Sequence, residues 1–180
     1  MLLRHLLETE GWPAVLVFVA SRYTANHVAD KLKRAGIAVA PLHGDLSQGA
    51  RSQALADLEA RRIRVLVATD VAARGLDIAH LPAVVNYDLP RSPVDYLHRI
   101  GRTGRAGDSG TALTFVSADT EGHWRLIEKR HQLVLEQELI AGFEPLERAA
   151  AVSDPNGGVK GRRKSKKDKL REATARKTTP

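Results

Sequence analysis

The 180-residue sequence contains no cysteine, which excludes disulfide bonds and cysteine-ligated metal sites. It also contains no apolar run that approaches the roughly 20 residues needed for a membrane helix. Glu8 and Glu10 follow the first leucines too closely for a signal peptide. Together these absences predict a cytoplasmic protein that is not embedded in a membrane.

Aromatic residues are also scarce, at 4% of the sequence. Proteins that bind single strands by base stacking present several aromatic side chains together. Here Trp12, Tyr23 and Trp124 are lone aromatics in three separate segments, so the sequence predicts no stacking platform. We expect all three side chains to belong to the core or to be partly buried.

The net charge of +7 is confined to the C-terminal end. Residues 1–150 carry 18 basic and 18 acidic side chains, whereas residues 151–180 carry ten basic and three acidic ones. Like-charge blocks of this kind are usually disordered. The composition therefore predicts a folded domain at 1–145 and a disordered basic tail at 146–180. The tail fits a nonspecific nucleic-acid tether, with a solubilising segment or an address signal as alternatives.

Short apolar runs alternate with helical patterns in the predicted domain. Continuous runs such as Val15–Ala20 and Val65–Ala68 are typical of strands buried on both faces. Helical patterns lie between them, for example after the candidate N-caps Ser21 and Ser47. The alternation predicts an α/β fold in which a mainly parallel sheet has helices on both faces.

Polar residues follow four of the predicted strands at their carboxyl ends. The clusters are Ser21–Arg22, His43–Asp45, Thr69–Asp70 and Asp88. Ligands of open parallel sheets bind outside this edge. The sequence therefore predicts a binding site along it, although the general polarity of loops explains any single cluster.

The most unusual segment is the arginine motif His98–Arg105, with the sequence HRIGRTGR. Arg99, Arg102 and Arg105 are three residues apart, which places them roughly on one face of a helix. Like charges repel there and glycines weaken the helix, so stability does not explain the pattern. One explanation is a polyanion opposite these side chains, because the planar guanidinium suits bidentate phosphate contacts. The other is a solvated arginine face.

Four segments, in order, resemble the C-terminal helicase domain of DEAD-box ATP-dependent RNA helicases. They are Val15–Arg22 (VLVFVASR), Leu42–Gln48 (LHGDLSQ), Val67–Ile78 (VATDVAARGLDI) and Tyr96 with the arginine motif. The resemblance covers about residues 1–145 and implies a RecA-like domain. Ile127–Lys129 and Gly142–Pro145 are similar to the bacterial RhlE-like branch. A related DNA helicase is an alternative, against which the segment Ala73–Asp77 argues.

The resemblance implies that ATP binds in a cleft between this domain and another. Arg102 and Arg105 match the family's arginines that reach the ATP phosphates, which makes them catalytic and nucleotide-binding residues. Asp77 matches an acidic residue near the ribose, and Gly75 accompanies it. The alternative to a ribose contact is that Asp77 caps a helix or forms an ion pair with Arg74.

His98 and Arg99 match residues that couple the arginine motif to the partner domain. For His98 the alternative is a structural histidine whose hydrogen bonds are satisfied within the domain. The resemblance therefore implies that a second RecA-like domain, present in cis or in trans, is a partner of this one.

The resemblance also implies contacts to the backbone of single-stranded RNA. The matching residues are Gly44, Asp45, Gln48, Arg51, Thr69, Arg74 and Gly75. Contacts to phosphate and sugar position a strand without reading its sequence. Gln48 and Arg51 share a helical face. The alternatives are a solvated helix arginine for Arg51 and a simple turn for Thr69–Asp70.

Two motifs that the family needs for hydrolysis are missing. The sequence has no Gly-x-x-x-x-Gly-Lys-Ser/Thr loop and no Asp-Glu-Ala-Asp, which hold phosphates and Mg²⁺. We therefore expect an N-terminal domain to hold the Mg²⁺, the chain alone to be inactive, and no metal site here. The chain would be a fragment, a truncated gene product or a stand-alone module. The alternative function is a non-catalytic RNA-binding module driven by the tail.

Overall fold

A computed structural model describes residues 1–74, 78, 81–104 and 109–144. Gly75, Asp77, Arg105 and the predicted tail lie outside these ranges. Within them, no helix has the length and apolar character needed to cross a membrane.

The described part of the chain forms five strands and six helices. The strands are β1 (Val15–Val19), β2 (Val39–Leu42), β3 (Val65–Thr69), β4 (Ala83–Asn86) and β5 (Thr111–Thr114). The helices are α1 (Leu2–Glu10), α2 (Arg22–Arg34), α3 (Gln48–Glu59), α4 (Asp70–Ala73), α5 (Pro93–Ile100) and α6 (Glu121–His131).

The strands form one sheet in the order β2-β3-β1-β4-β5, and every pairing is parallel. The central strand β1 lies between β3 and β4, and all residues of these three strands are buried. The predicted α/β fold with a parallel sheet is confirmed. All five carboxyl ends lie at one edge of the sheet, which we call the carboxyl edge.

Apolar side chains cover both faces of this sheet. On one face Val15, Val17 and Val19 pack with residues of α1 and α2. On the other face Leu16 and Phe18 pack with residues of α3 and α4. Successive side chains of a strand point to opposite faces, so the single apolar run of β1 serves two cores.

Serine side chains begin three of the helices at the carboxyl edge. Ser21, Ser47 and Ser92 precede α2, α3 and α5, and each side chain accepts a hydrogen bond from the backbone N–H three residues later. These bonds satisfy N–H groups that a helix start otherwise leaves unpaired. The predicted caps at Ser21 and Ser47 are confirmed.

The three lone aromatics differ in their burial. Trp12 and Trp124 are 8% and 3% exposed, as expected, and Trp124 packs edge-to-face on Tyr96 to join α6 to α5. Tyr23 is 77% exposed, so its predicted burial is wrong. The buried face of α2 consists of Ala25, Val28, Ala29 and Leu32, and residue 23 lies off that face.

Candidate functional site

Arg99 lies inside the domain, with 2% of its side chain exposed. Its Nε and Nη2 donate to the two carboxylate oxygens of Asp70 at 2.6 and 2.7 Å. Its Nη1 donates to Asn86 Oδ1 at 3.0 Å and to the backbone oxygen of Asp88 at 2.7 Å. The guanidinium carbon lies 4.9 Å from the centre of the Phe18 ring. Four of the five guanidinium N–H donors are therefore satisfied within the domain.

This burial contradicts the expectation that the three arginines share one exposed face. Helix α5 ends at Ile100, so Arg102 lies beyond it, and its side chain is half-buried where that of Arg99 is buried. Arg99 shares its face with the buried Tyr96, three residues earlier, and Arg105 lies outside the described residues. The described contacts of Arg99 hold α5 against the sheet, and its coupling to a partner domain stays a prediction.

The acceptors of this arginine extend across the carboxyl edge. Asp70 follows β3, Asn86 ends β4 and Asp88 comes two residues later. Asn86 Nδ2 donates to Thr114 Oγ1 at the end of β5, at 3.1 Å. The backbone N–H of Ala20, just after β1, donates to Asp88 Oδ2 at 2.7 Å. This network ties the ends of four strands to one helix.

Arg102 follows α5, and its backbone is held on both sides. Its N–H donates to the Arg99 oxygen at 3.2 Å, and its own carbonyl oxygen accepts from the Leu81 N–H at 3.1 Å. The next residue, Thr103, donates its hydroxyl to the Leu81 oxygen and forms a parallel bridge with Leu81. Gly104 then turns the chain at φ 64°, a conformation that favours glycine. The half-buried side chain of Arg102 thus extends from a fixed backbone.

Gly110 permits this arrangement because it packs directly on Thr103. A Cβ at position 110 would lie 1.9 Å from Thr103 Oγ1 and 2.5 Å from the Gly104 nitrogen. We expect Gly110→Ala to lower the free energy of unfolding by about 1–3 kcal/mol, the usual cost of overpacking. Urea denaturation measures it. Gly49→Ala is the matched control, because its Cβ meets nothing within 4 Å and alanine favours the helix; similar losses in both variants would contradict the prediction.

Several predicted RNA-binding residues lie where α3 meets α4. Arg51 Nη1 donates to Gln48 Oε1, and its Nη2 donates to the Ala72 oxygen, both at 3.4 Å. The second bond joins α3 to α4, which begins directly after the buried Thr69 and ends just before Arg74. The buried Nε of Arg51 has no hydrogen-bond partner among the described residues. The structure therefore groups these predicted residues around one short helix.

The exposed Arg74 connects this group to α5. Its Nη2 lies 2.7 Å from Asp95 Oδ1, and Ser92 Oγ donates to the other oxygen of Asp95 at 2.8 Å. The hydrogen bond from Ser92, with a smaller effect of Arg74, lowers the pKa of Asp95. An ion pair between Arg74 and Asp77 was one expectation; Asp77 lies outside the described residues, and the described partner is Asp95.

Gly44 and Asp45 lie exposed in the loop after β2. Asp45 forms an ion pair with Arg22, the first residue of α2. The buried His43 donates through Nε2 to Asn26 Oδ1 on the same helix, at 3.0 Å. These two contacts hold the loop against α2.

His98 is exposed on α5. No three histidine, aspartate or glutamate side chains come together to hold a metal ion in the part of the chain that the structure describes. Sequence reasoning missed Asn86 and Asp95 as residues that position the arginine motif. For Asn86 a signal was present, since a polar side chain at the end of a buried strand needs a hydrogen-bond partner.

Residues 1–107 match the family described as the helicase conserved C-terminal domain. The ATP-dependent RNA helicase SrmB of Haemophilus influenzae is 40% identical over 171 residues, covering 95% of this chain and 38% of that protein. The solved structure of Escherichia coli DEAD-box protein SrmB, bound to regulator of ribonuclease activity A, has a TM-score of 0.75 and 40% identity. That similarity covers 84% of this chain and 89% of the other.

A DEAD box protein of the hyperthermophile Methanococcus jannaschii is also similar, with a TM-score of 0.69 and 38% identity. The match covers 74% of this chain and 36% of that one. The chain thus spans well under half the length of the Haemophilus relative.

Proposed function

The chain belongs to the DEAD-box RNA helicases as a C-terminal helicase domain with a RecA-like fold, and from that premise we propose that it acts as one half of an ATP-dependent RNA helicase. Arg102 and Arg105 contact the phosphates of an ATP molecule held mainly by a second domain. Asp77 and Gly75 lie near the nucleotide, and His98 contacts the second domain.

The held backbone of Arg102 is the observation that carries this proposal. Arg99 anchors the helix before it, and the Leu81–Thr103 bridge anchors the segment after it. A cation that stabilises a phosphoryl transition state acts best when its position is set before the reaction. The residues around Arg102 set such a position beside Leu81, two residues before β4 begins.

The donors of this chain fit phosphate rather than metal. Arg102 supplies a guanidinium group, and the carboxylates of Asp70 and Asp95 are used in binding arginines. The Mg²⁺ that accompanies ATP would therefore be held by the other domain, where it would neutralise phosphate charge. In this proposal the described residues of this chain orient the guanidinium of Arg102 and supply no ligand to Mg²⁺.

The RNA contacts are proposed on the group around α4 and on the loop after β2. They involve Gly44, Asp45, Gln48, Arg51, Thr69 and Arg74, with Gly75 next to them. The unpartnered Nε of Arg51 supports this proposal, because a buried donor without an acceptor favours an oxygen-rich ligand. Contacts of this kind go to phosphate and sugar and do not select a base.

A chimera tests the proposed division of labour. The chain is joined to the part of E. coli SrmB that precedes the segment similar to it. We expect RNA-stimulated ATP hydrolysis by the chimera and none by the chain alone, because the phosphate loop and the Mg²⁺ ligands are missing from it. Phosphate release measured with and without single-stranded RNA reports both activities.

The N-terminal part of SrmB alone is the matched control, and it should show little stimulation by RNA. Robust RNA-stimulated turnover by the 180-residue chain would refute the need for a second domain. A chimera that melts cooperatively but hydrolyses ATP no faster than the control would refute the proposed contribution of this domain.

A further inference from the structure

Tyr23 and His27 form an exposed stacked pair on α2. Their ring centroids are 5.8 Å apart and their planes differ by 10°. Tyr23 is 77% exposed. His27 is exposed as well, so both rings of the pair lie at the surface. The Tyr23 ring is therefore accessible to a planar group from solvent.

The pair lies next to the loop that carries two of the proposed RNA contacts. Arg22, directly before Tyr23, is paired with Asp45 of that loop. Asn26 lies between Tyr23 and His27 in the sequence and binds His43, which precedes Gly44. Residues 23, 26 and 27 share one side of the helix. The same side of α2 therefore contacts the loop and carries the stacked rings.

We propose that Tyr23, supported by His27, stacks on a nucleobase of the RNA strand whose backbone the neighbouring loop contacts. This inference rests on the proposed function and adds a contact to bases where that function has contacts only to phosphate and sugar. Stacking on an aromatic ring tolerates every base, because each base presents a π face. The contact adds affinity for single strands without selecting their sequence.

Two features favour a base over another occupant. The open surface is a single ring face rather than a broad apolar patch, which matches the size of one base. Arg22, which directly precedes Tyr23 in the sequence, pairs with Asp45 of the loop, so a strand whose backbone reaches that loop passes close to the ring. A base paired in a duplex has its faces covered by its neighbours, so this contact discriminates single strands from duplexes.

Binding by the full 180-residue chain to two labelled strands tests the proposal. One strand is a short oligouridylate, and the other is an abasic strand of the same length and charge. We expect Tyr23→Ala to raise the Kd for oligouridylate by about 5- to 150-fold and to leave the Kd for the abasic strand unchanged. Tyr23→Phe keeps the ring and should bind like the wild type.

Val134→Ala is the matched control, since Val134 is 98% exposed and lies beyond α6. A second measurement locates the base directly: a strand that carries 5-iodouridine is irradiated with the chain, and the crosslinked peptide is identified by mass spectrometry. We expect the crosslink at Tyr23 or His27, and this result is independent of how much affinity the basic tail adds.

The outcomes separate the two proposals. Equal affinity of wild type and Tyr23→Ala for oligouridylate, with crosslinks away from α2, would overturn the stacking proposal and leave the backbone contacts standing. That result would also be expected if Tyr23 contacted a protein partner and not RNA. Failure of the wild-type chain to bind either strand would instead refute the RNA-binding part of the proposed function.

Discussion

Replacing Arg99 by alanine is expected to lower the free energy of unfolding by about 3–5 kcal/mol, the range seen when one partner of a buried ion pair is removed. The change leaves the carboxylate of Asp70 without its bidentate partner and deprives Asn86 and Asp88 of a donor. It also removes the guanidinium from the Phe18 ring. For a domain of this size such a loss is a large part of the total stability.

Urea denaturation followed by circular dichroism measures this loss. Arg74→Ala is the matched control, because Arg74 also pairs with a carboxylate but is exposed, and such pairs contribute about 0–1 kcal/mol. Arg99→Lys keeps the charge without the planar fork, so it should fall between the two. Equal, small effects of Arg99→Ala and Arg74→Ala would show that the buried network does not hold α5.

Replacing Arg102 by alanine in the two-domain chimera is expected to reduce kcat for ATP hydrolysis by about 10³- to 10⁵-fold, the effect of an arginine finger. The variant should still fold, because the backbone bonds on either side of Arg102 remain. RNA affinity should also be retained, because the proposed RNA contacts lie at the carboxyl edge, whereas Arg102 is bonded to Leu81 just before the amino end of β4. RNA-stimulated phosphate release and strand binding are measured on the same preparation.

Arg125→Ala serves as the control for loss of one positive charge, because Arg125 is exposed on α6 and pairs only within its helix with Glu121 among the described residues. Its kcat should match that of the unmodified chimera. If Arg102→Ala lowers kcat no more than Arg125→Ala does, Arg102 does not stabilise the transition state, and the proposed role of the motif is wrong.

The sheet could be predicted because a strand buried on both faces needs a continuous apolar run, and the runs at Val15 and Val65 have no other simple interpretation. The carboxyl edge could be predicted from the polar residues after each strand. Both features depend on residues close together in the sequence, and both are confirmed.

The burial of Arg99 could not be predicted from spacing alone. Equal spacing does not distinguish the three arginines; what distinguishes them is which one meets acceptors from remote segments. The acceptors of Arg99 lie on Asp70 and Asn86, which are 29 and 13 residues away from it in the sequence. The exposure of Tyr23, in contrast, was within reach of the sequence. The apolar positions 28, 29 and 32 define the buried face of α2, and the phase of that pattern places residue 23 outside it.

Helix α4 is joined to α5 at both of its ends, through Asp70 with Arg99 and through Arg74 with Asp95. A ligand that favours a different placement of one helix must therefore work against the placement of the other. Thermodynamic linkage makes such an effect reciprocal. If an RNA strand bound at α4 changes the affinity for a nucleotide at the segment after α5 by some factor, the nucleotide changes the affinity for RNA by the same factor. The two ion pairs across this four-residue helix are thus side-chain links between the proposed RNA-binding group and the proposed nucleotide-binding segment.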